Sequence, residues 1–477
     1  MAFQSFEFLI FFCAILGAYF WLPTRGQNLL LITASYVFYG WIHQWYLLLI
    51  GVTTLLDWAC ALGMDRSRTP LQRKAFLILS VSVSLATLCA FKYFGFFTEN
   101  ITALLSAIGL MPSPILLKIA LPAGISFFTF QSISYAIDVY RRDLPACRSL
   151  IEYATFAAFF PQLVAGPIER AGHMLPQYRA RRQLDLVTIR SGLVLVLWGL
   201  FQKIAIADSA SMLADKVFSV KDASFPVLWG GVIAFGVQIY ADFSGYTAMA
   251  RGTARIIGIE LCPNFNHPYI AQSPSDFWRR WHMSLGRWFK DYVFIPLGGS
   301  RTTPWLVWRN LLIVFLLSGL WHGAGWNFII WGLFHGILLC TWPLLAQAVP
   351  IFGKAGGAAG IVFRVIATFT IMHIGRVFFR EQSLAMIWQH LTLNPFAATA
   401  AEWRVGCGIA LEAVLYGLPL TLLYPLAEHL KLIPLTTDLR MQTWRWTCIQ
   451  AATAAVVMLG ILALRSPESG AFIYFQF

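Results

Sequence analysis

The chain has 477 residues, of which 58% are apolar, 16% aromatic and only 12% charged, whereas a soluble domain carries about half apolar and a quarter charged residues. This composition excludes water as the main solvent. The formal net charge of +13 fits Lys and Arg gathered in the cytoplasmic loops of a multi-pass protein, rather than nucleic-acid binding.

Apolar stretches long enough for a hydrocarbon layer about 30 Å thick recur from end to end. In chain order they are Phe6–Leu22, Trp45–Gly63, Ala75–Phe94, Ile115–Val139, Ile189–Ala207, Val227–Tyr246, Leu311–Leu345, Val362–Phe379, Ile409–Leu430 and Thr447–Leu464. They predict an all-α polytopic membrane protein of about ten to twelve passes, with residues 1–477 forming one integral membrane domain. No Lys or Arg precedes the first apolar run and no small-residue cleavage site follows Leu22-Pro23, so Phe6–Leu22 is read as a retained span. The eight cysteines are scattered without C-x-x-C spacing, which indicates neither a disulfide framework nor a zinc site.

The basic loops are Arg66–Lys74, Arg141–Arg148 and Arg170–Arg182, then Arg251/Arg255 and the cluster Arg279 to Lys290. The positive-inside rule places them all in the cytoplasm. Parity is satisfied only if Tyr153–Pro167, short and interrupted by Pro161 and Gly166, is re-entrant; irregular backbone at that depth requires protein or a cavity around it. Lys92–Leu104 and Ser209–Pro226 are then short outer loops, too short for a carbohydrate-binding domain.

Two segments carry chemistry. In the first, Ser273 as N-cap, Pro274 and Asp276 start a helix predicted to end before Pro296. Phe277, Trp281, Ser284 and Trp288 share one face, and Trp278, His282, Leu285 and Phe289 the next. By composition alone this is an interfacial amphipathic helix with Trp and Arg at the headgroups and His282 a core residue. The second, Gly319-Leu320-Trp321-His322-Gly323-Ala324-Gly325, interrupts the long run Leu311–Leu345. Its three glycines predict a bent or broken helix with His322 about midway, near bilayer depth. An ionisable group there is a functional candidate; the alternative is a structural hydrogen bond between helices, the reading given to His335. A histidine suits the general-base step of an acyl transfer near neutral pH.

The phrases Phe277 to Leu285 (FWRRWHMSL), Asp291 to Gly299 (DYVFIPLGG) and Gly319 to Gly325 (GLWHGAG), in this order and spacing, resemble the signature of the membrane-bound O-acyltransferase (MBOAT) superfamily. So do Phe160 to Pro167 (FPQLVAGP), Tyr240 to Tyr246 (YADFSGY), Asn264 to Tyr269 (NFNHPY) and Phe472 to Phe477. The phrases are most similar to the alginate O-acetyltransferase branch, which includes enzymes acetylating cellulose and peptidoglycan. The resemblance implies the MBOAT fold, with re-entrant and cytoplasmic interfacial helices beside the spans. It implies His322 and His282 as catalytic positions and Trp278, Arg279, Arg280, Trp281, Ser284, Trp321 and Asn327 as residues around donor and substrate. No metal or resident cofactor is expected. Acetyl-CoA is the implied donor, the bacterial inner membrane the implied location, and an SGNH-hydrolase-like acetyltransferase outside the membrane the implied partner, through which a polysaccharide acceptor is reached. A transporter or channel with an intramembrane histidine is the rival reading.

Overall fold

The computed structural model describes residues 1–41, 44–110, 122, 124–163, 166–353, 356–429, 444–464 and 472–473. Ile115–Leu121 and Ala123 of the expected Ile115–Val139 span, Val164 and Ala165 of the FPQLVAGP phrase, and Tyr474–Phe477 lie outside these residues. The described residues hold eight helices long and apolar enough to cross a membrane, with two shorter apolar helices at Phe6–Tyr19 and Ala455–Leu464. The chain divides into two compact units, Met1–Ile189 with Thr253–Cys262, and Arg190–Gly252 with Pro263–Phe477.

The first unit contains α1 (Phe6–Tyr19), α2 (Thr24–Gly40), α3 (Trp45–Arg66), α4 (Pro70–Ala107), α5 (Ile125–Arg141), α6 (Leu150–Ala158), α7 (Phe160–Leu163) and α8 (Ala171–Arg179). Local chemistry starts several of them: Ser5 accepts from the Phe8 N–H at the head of α1, and Thr69 with Pro70 opens α4. α2 falls between the expected spans because Gln27, Asn28 and Ser35 dilute its apolar pattern. In the fold these side chains are buried and bonded, Gln27 and Asn28 to Arg182 and Ser35 to the Phe160 N–H at 3.0 Å. That last bond caps the break at Phe159 between α6 and α7, so the described part of the Tyr153–Pro167 segment up to Leu163 is two short buried helices rather than a span. Lys92–Leu104, expected as a loop, continues α4 as helix, and Ser209–Phe218 likewise belongs to a long helix; apolar faces on both segments favour extension of the helix over a turn.

The Arg73 guanidinium donates to the Met64 carbonyl at the end of α3 and to the Val139 and Tyr140 carbonyls at the end of α5, at 3.1, 2.5 and 3.1 Å. These are orphan carbonyls that a cation satisfies well. Arg179 pairs with Glu152 at 2.9 Å, close to Cys147, which lies 3.7 Å from the same carboxylate. The three basic loops of this unit therefore lie at one end of it.

The second unit contains α9 (Leu186–Phe218, from Arg190 onward), α10 (Phe225–Ile256, to Gly252), α11 (Pro274–Arg280), α12 (Met283–Phe289), α13 (Pro304–His322), α14 (Trp326–Ala348), α15 (Gly357–Arg380), α16 (Leu384–Leu391), α17 (Ala400–Leu426) and α18 (Trp444–Leu464). α9 and α10 run antiparallel with backbones nearly touching: a Cβ on Gly199 would meet the Gly245 carbonyl, and one on Gly252 the Gly192 carbonyl. Such close approach is available only to glycine and stands in for a hydrophobic drive that lipid does not supply. Between them Lys203 is buried with two carboxylates, Asp208 at 2.8 Å and Asp242 at 3.0 Å, and Asp242 also accepts the Ile473 N–H at 2.7 Å.

Candidate active site

The helix starting at Ser273 is capped as expected, with the Ser273 hydroxyl accepting the Asp276 N–H at 3.1 Å. It does not run on towards Pro296. α11 ends at Arg280, and His282 takes a left-handed conformation, φ 43 and ψ 53, before α12 begins. A side chain in that region costs free energy, less for His than for most residues. Local periodicity could not show this break, because it is held from outside the segment. Both expected faces are nonetheless buried: Phe277, Trp281, His282, Ser284, Leu285, Trp288 and Phe289 are each under 9% exposed.

The Leu311–Leu345 run is also two helices. α13 stops at His322 and α14 starts at Trp326, with Gly323 and Gly325 extended between them. His322 is thus the last residue of a candidate span rather than the middle of a longer one. The glycines are needed for packing: a carbon on Gly323 would overlap the Phe328 ring, and one on Gly319 the Phe328 carbonyl.

These two breaks bring the histidines together. His282 and His322 both line a cavity of about 550 Å³ that also touches Trp278, Trp281, Phe315 and Ser318 and reaches the basic side chains Arg279, Arg287 and Lys290. Arg279 is 74% exposed and Arg287 and Lys290 are exposed, while His282 and His322 are 2% and 4% exposed. The cavity therefore joins a cationic surface to buried imidazoles. The rings alternate edge to face: His282 stands 5.7 Å from Trp321, which is 5.0 Å from His322, which is 5.0 Å from Trp331, which is 4.8 Å from His335. Phe243 of the YADFSGY phrase closes over His282 at 4.7 Å. His282 lies outside the candidate spans, and burial pushes its imidazole down to about 3, from an ordinary 6.5. It is neutral at any physiological pH.

Of the other expected site residues, Trp278, Arg279 and Trp281 line this cavity and Arg280, Ser284, Trp321 and Asn327 do not. Arg280 is turned to Asp276 at 2.9 Å, the Ser284 hydroxyl donates to Asn264 at 2.6 Å, and the Asn327 amide donates to the Phe378 carbonyl at 3.2 Å. Trp321 is the spacer between the two histidines. Sequence reasoning did not single out Arg376 or His373 on α15. Arg376 lies over the Trp281 ring at 4.8 Å and donates to the Tyr269 hydroxyl at 2.9 Å, and with His322 and His335 it lines a second cavity of about 30 Å³. The signal was present, since ionisable groups inside the apolar Val362–Phe379 run are costly unless they have a task.

Residues 141–381, which contain all of these groups, match the membrane-bound O-acyltransferase family. The chain is 41% identical to a probable alginate O-acetylase of Azotobacter vinelandii, over 82% of this chain and 77% of that one. It is 35% identical to a probable alginate O-acetylase of Pseudomonas putida over the full length of both. Similarity to the peptidoglycan O-acetyltransferase of Helicobacter pylori is 32% identity over 96% of this chain and 94% of that protein. With its all-helical fold and repeated apolar helices, the chain belongs to the membrane-bound O-acyltransferase family and is a multi-pass membrane O-acetyltransferase.

Proposed function

We propose that the protein takes acetyl from acetyl-CoA at the cytoplasmic face of a bacterial inner membrane and passes it across for O-acetylation of an extracytoplasmic polysaccharide, alginate-like in the first instance. The observation that carries this reading is the cavity joining exposed Arg279, Arg287 and Lys290 to buried His282 and His322. Cations at its mouth suit the phosphates of the donor, and its buried aromatic lining strengthens the polar contacts made within it.

In this reading His322 is the general base. Its ring nitrogen takes the proton from the acceptor hydroxyl as that oxygen attacks the thioester carbonyl; the carbon–sulfur bond breaks, and the proton returns to the departing thiolate. Trp278, which lines the cavity, packs against the bound donor in this reading. His282, neutral, serves by hydrogen bonding. The acceptor hydroxyl belongs to an SGNH-hydrolase-like partner that hands acetyl on to the polymer.

The test is His322→Ala, which should leave the protein inserted and abundant while lowering polysaccharide acetylation by about 10²- to 10⁴-fold, the usual worth of a positioned base. Near-normal acetyl content in that variant would remove the catalytic role. Reconstitution with acetyl-CoA inside and polymer outside should need the partner; efficient polymer acetylation without it would make this chain the terminal transferase.

A further inference from the structure

The NFNHPY phrase has no part in the chemistry above, yet it sits against the catalytic turn. Asn264, 1% exposed, brackets His282 from the C-terminal side. Its carbonyl accepts the Met283 N–H at 2.8 Å, and its side-chain oxygen accepts both the Ser284 N–H at 3.3 Å and the Ser284 hydroxyl at 2.6 Å. Its amide nitrogen faces the Thr247 hydroxyl of α10 at 3.4 Å. On the other side of the turn the Asn266 N–H donates to the Arg280 carbonyl at 2.9 Å. Between these anchors the Phe265 ring stands edge-on to Trp281 and to Phe243, both at 5.1 Å, and Phe243 is the ring that closes over His282.

The three residues Asn264-Phe265-Asn266 thus grip residues 280–284 on both sides of the left-handed His282. A non-glycine residue keeps that conformation only where its surroundings over-determine it, and these contacts do so. Released from them, His282 would relax towards continuous helix, which rotates its imidazole away from the cavity. Ser284 acts as a handle for the same grip, which explains why its hydroxyl is turned from the cavity.

We infer that Asn264 is the positioning residue of this enzyme: it holds the strained turn that aims His282 into the acyl-transfer cavity. The inference rests on the proposed role of His282. A residue acting through His282 should lower kcat more than it raises the donor KM, because the cations of the mouth, Arg279, Arg287 and Lys290, flank the turn and are exposed, whereas His282 is the buried residue held within it. Misplacement of a reacting group by about 1 Å costs up to about 100-fold in rate.

The experiment measures thiol release from acetyl-CoA by the detergent-purified full chain, and in parallel the acetyl content of exported polysaccharide per molecule of protein in cells. Asn264→Ala should lose between 10- and 100-fold in kcat with KM within about twofold. Ser284→Ala, which removes one bond and leaves the backbone anchor, should lose a few-fold and covers the case in which Asn264→Ala does not accumulate. Added to His282→Ala, Asn264→Ala should cause no further loss. Losses that multiply in the double variant, or a main effect on KM, or full activity of both Asn264→Ala and Ser284→Ala, would overturn the inference. Full activity of His282→Ala would instead overturn the role proposed for His282 itself.

Discussion

Replacing Gly319 by Ala tests whether the α13–α14 hairpin sets the position of His322. The added carbon would sit inside the Phe328 carbonyl oxygen, 3.1 Å from the carbonyl carbon and 3.4 Å from the Gly332 Cα. Every one of these atoms is backbone, so no side chain can swing aside. Restoring ordinary contact requires the two helices to part by about 1 Å near this point. Gly332 makes the reciprocal approach, to the Phe315 carbonyl, so the helices cannot roll to relieve the clash without creating another. His322 lies three residues beyond Gly319 at the end of the same helix and packs on Trp331 of the other. The expected cost is about 1–3 kcal/mol of stability from overpacking and up to about 100-fold in rate from the displaced imidazole. Thermal unfolding in detergent and acetyl transfer per folded molecule measure the two separately. Gly408→Ala in α17 is the control: nothing lies within 4 Å of the added carbon, and the gain in helix propensity should stabilise by up to about 1 kcal/mol. If Gly319→Ala retains activity within twofold of the parent and unfolds at the same temperature, the hairpin does not position His322 in this way.

Two further outcomes follow from buried charge and burial of titratable groups. Because the folded His282 imidazole binds a proton only near pH 3, the unfolded chain binds more protons between there and about 6.5. Stability is then full above pH 6.5 and falls on acidification, by about 2 kcal/mol at pH 5 from this residue alone. Unfolding temperature measured against pH should fall less steeply for His282→Asn than for the parent; equal slopes would refute the assignment. Lys203→Met strands Asp208 and Asp242 without their shared cation and should cost about 3–5 kcal/mol, seen as loss of accumulated protein. Neutralising both carboxylates in the same variant should recover much of it, and no recovery would show that the lysine acts otherwise than as their counter-ion.

The apolar spans and the cap at Ser273 were legible in the sequence because each depends on neighbours within a turn or two. The left-handed turn at His282 was not, since it is decided by Asn264, some twenty residues away in the chain. Likewise the glycines around His322 announced a break, but whether the helix bends or reverses depends on how Phe328 packs against Gly323. α2 was missed because polar residues that look solvent-facing in a hydropathy pattern are buried against Arg182 and Phe160. The family phrases pointed to both histidines; the cavity joining them, and the place of Arg376 beside it, needed the assembled helices.

The Arg73 guanidinium has a consequence for biogenesis. It seals the ends of α3 and α5 at once, through carbonyls up to 67 residues distant in the chain. While the chain is being synthesised, the α3–α4 hairpin is finished long before Val139 and Tyr140 emerge. Until then two of the donors of Arg73 have only water. Arrival of α5 replaces that water with carbonyls, so the side chain that bonds the end of α3 also holds the end of the third helix. One side chain therefore ties the α3–α4 hairpin to the end of α5.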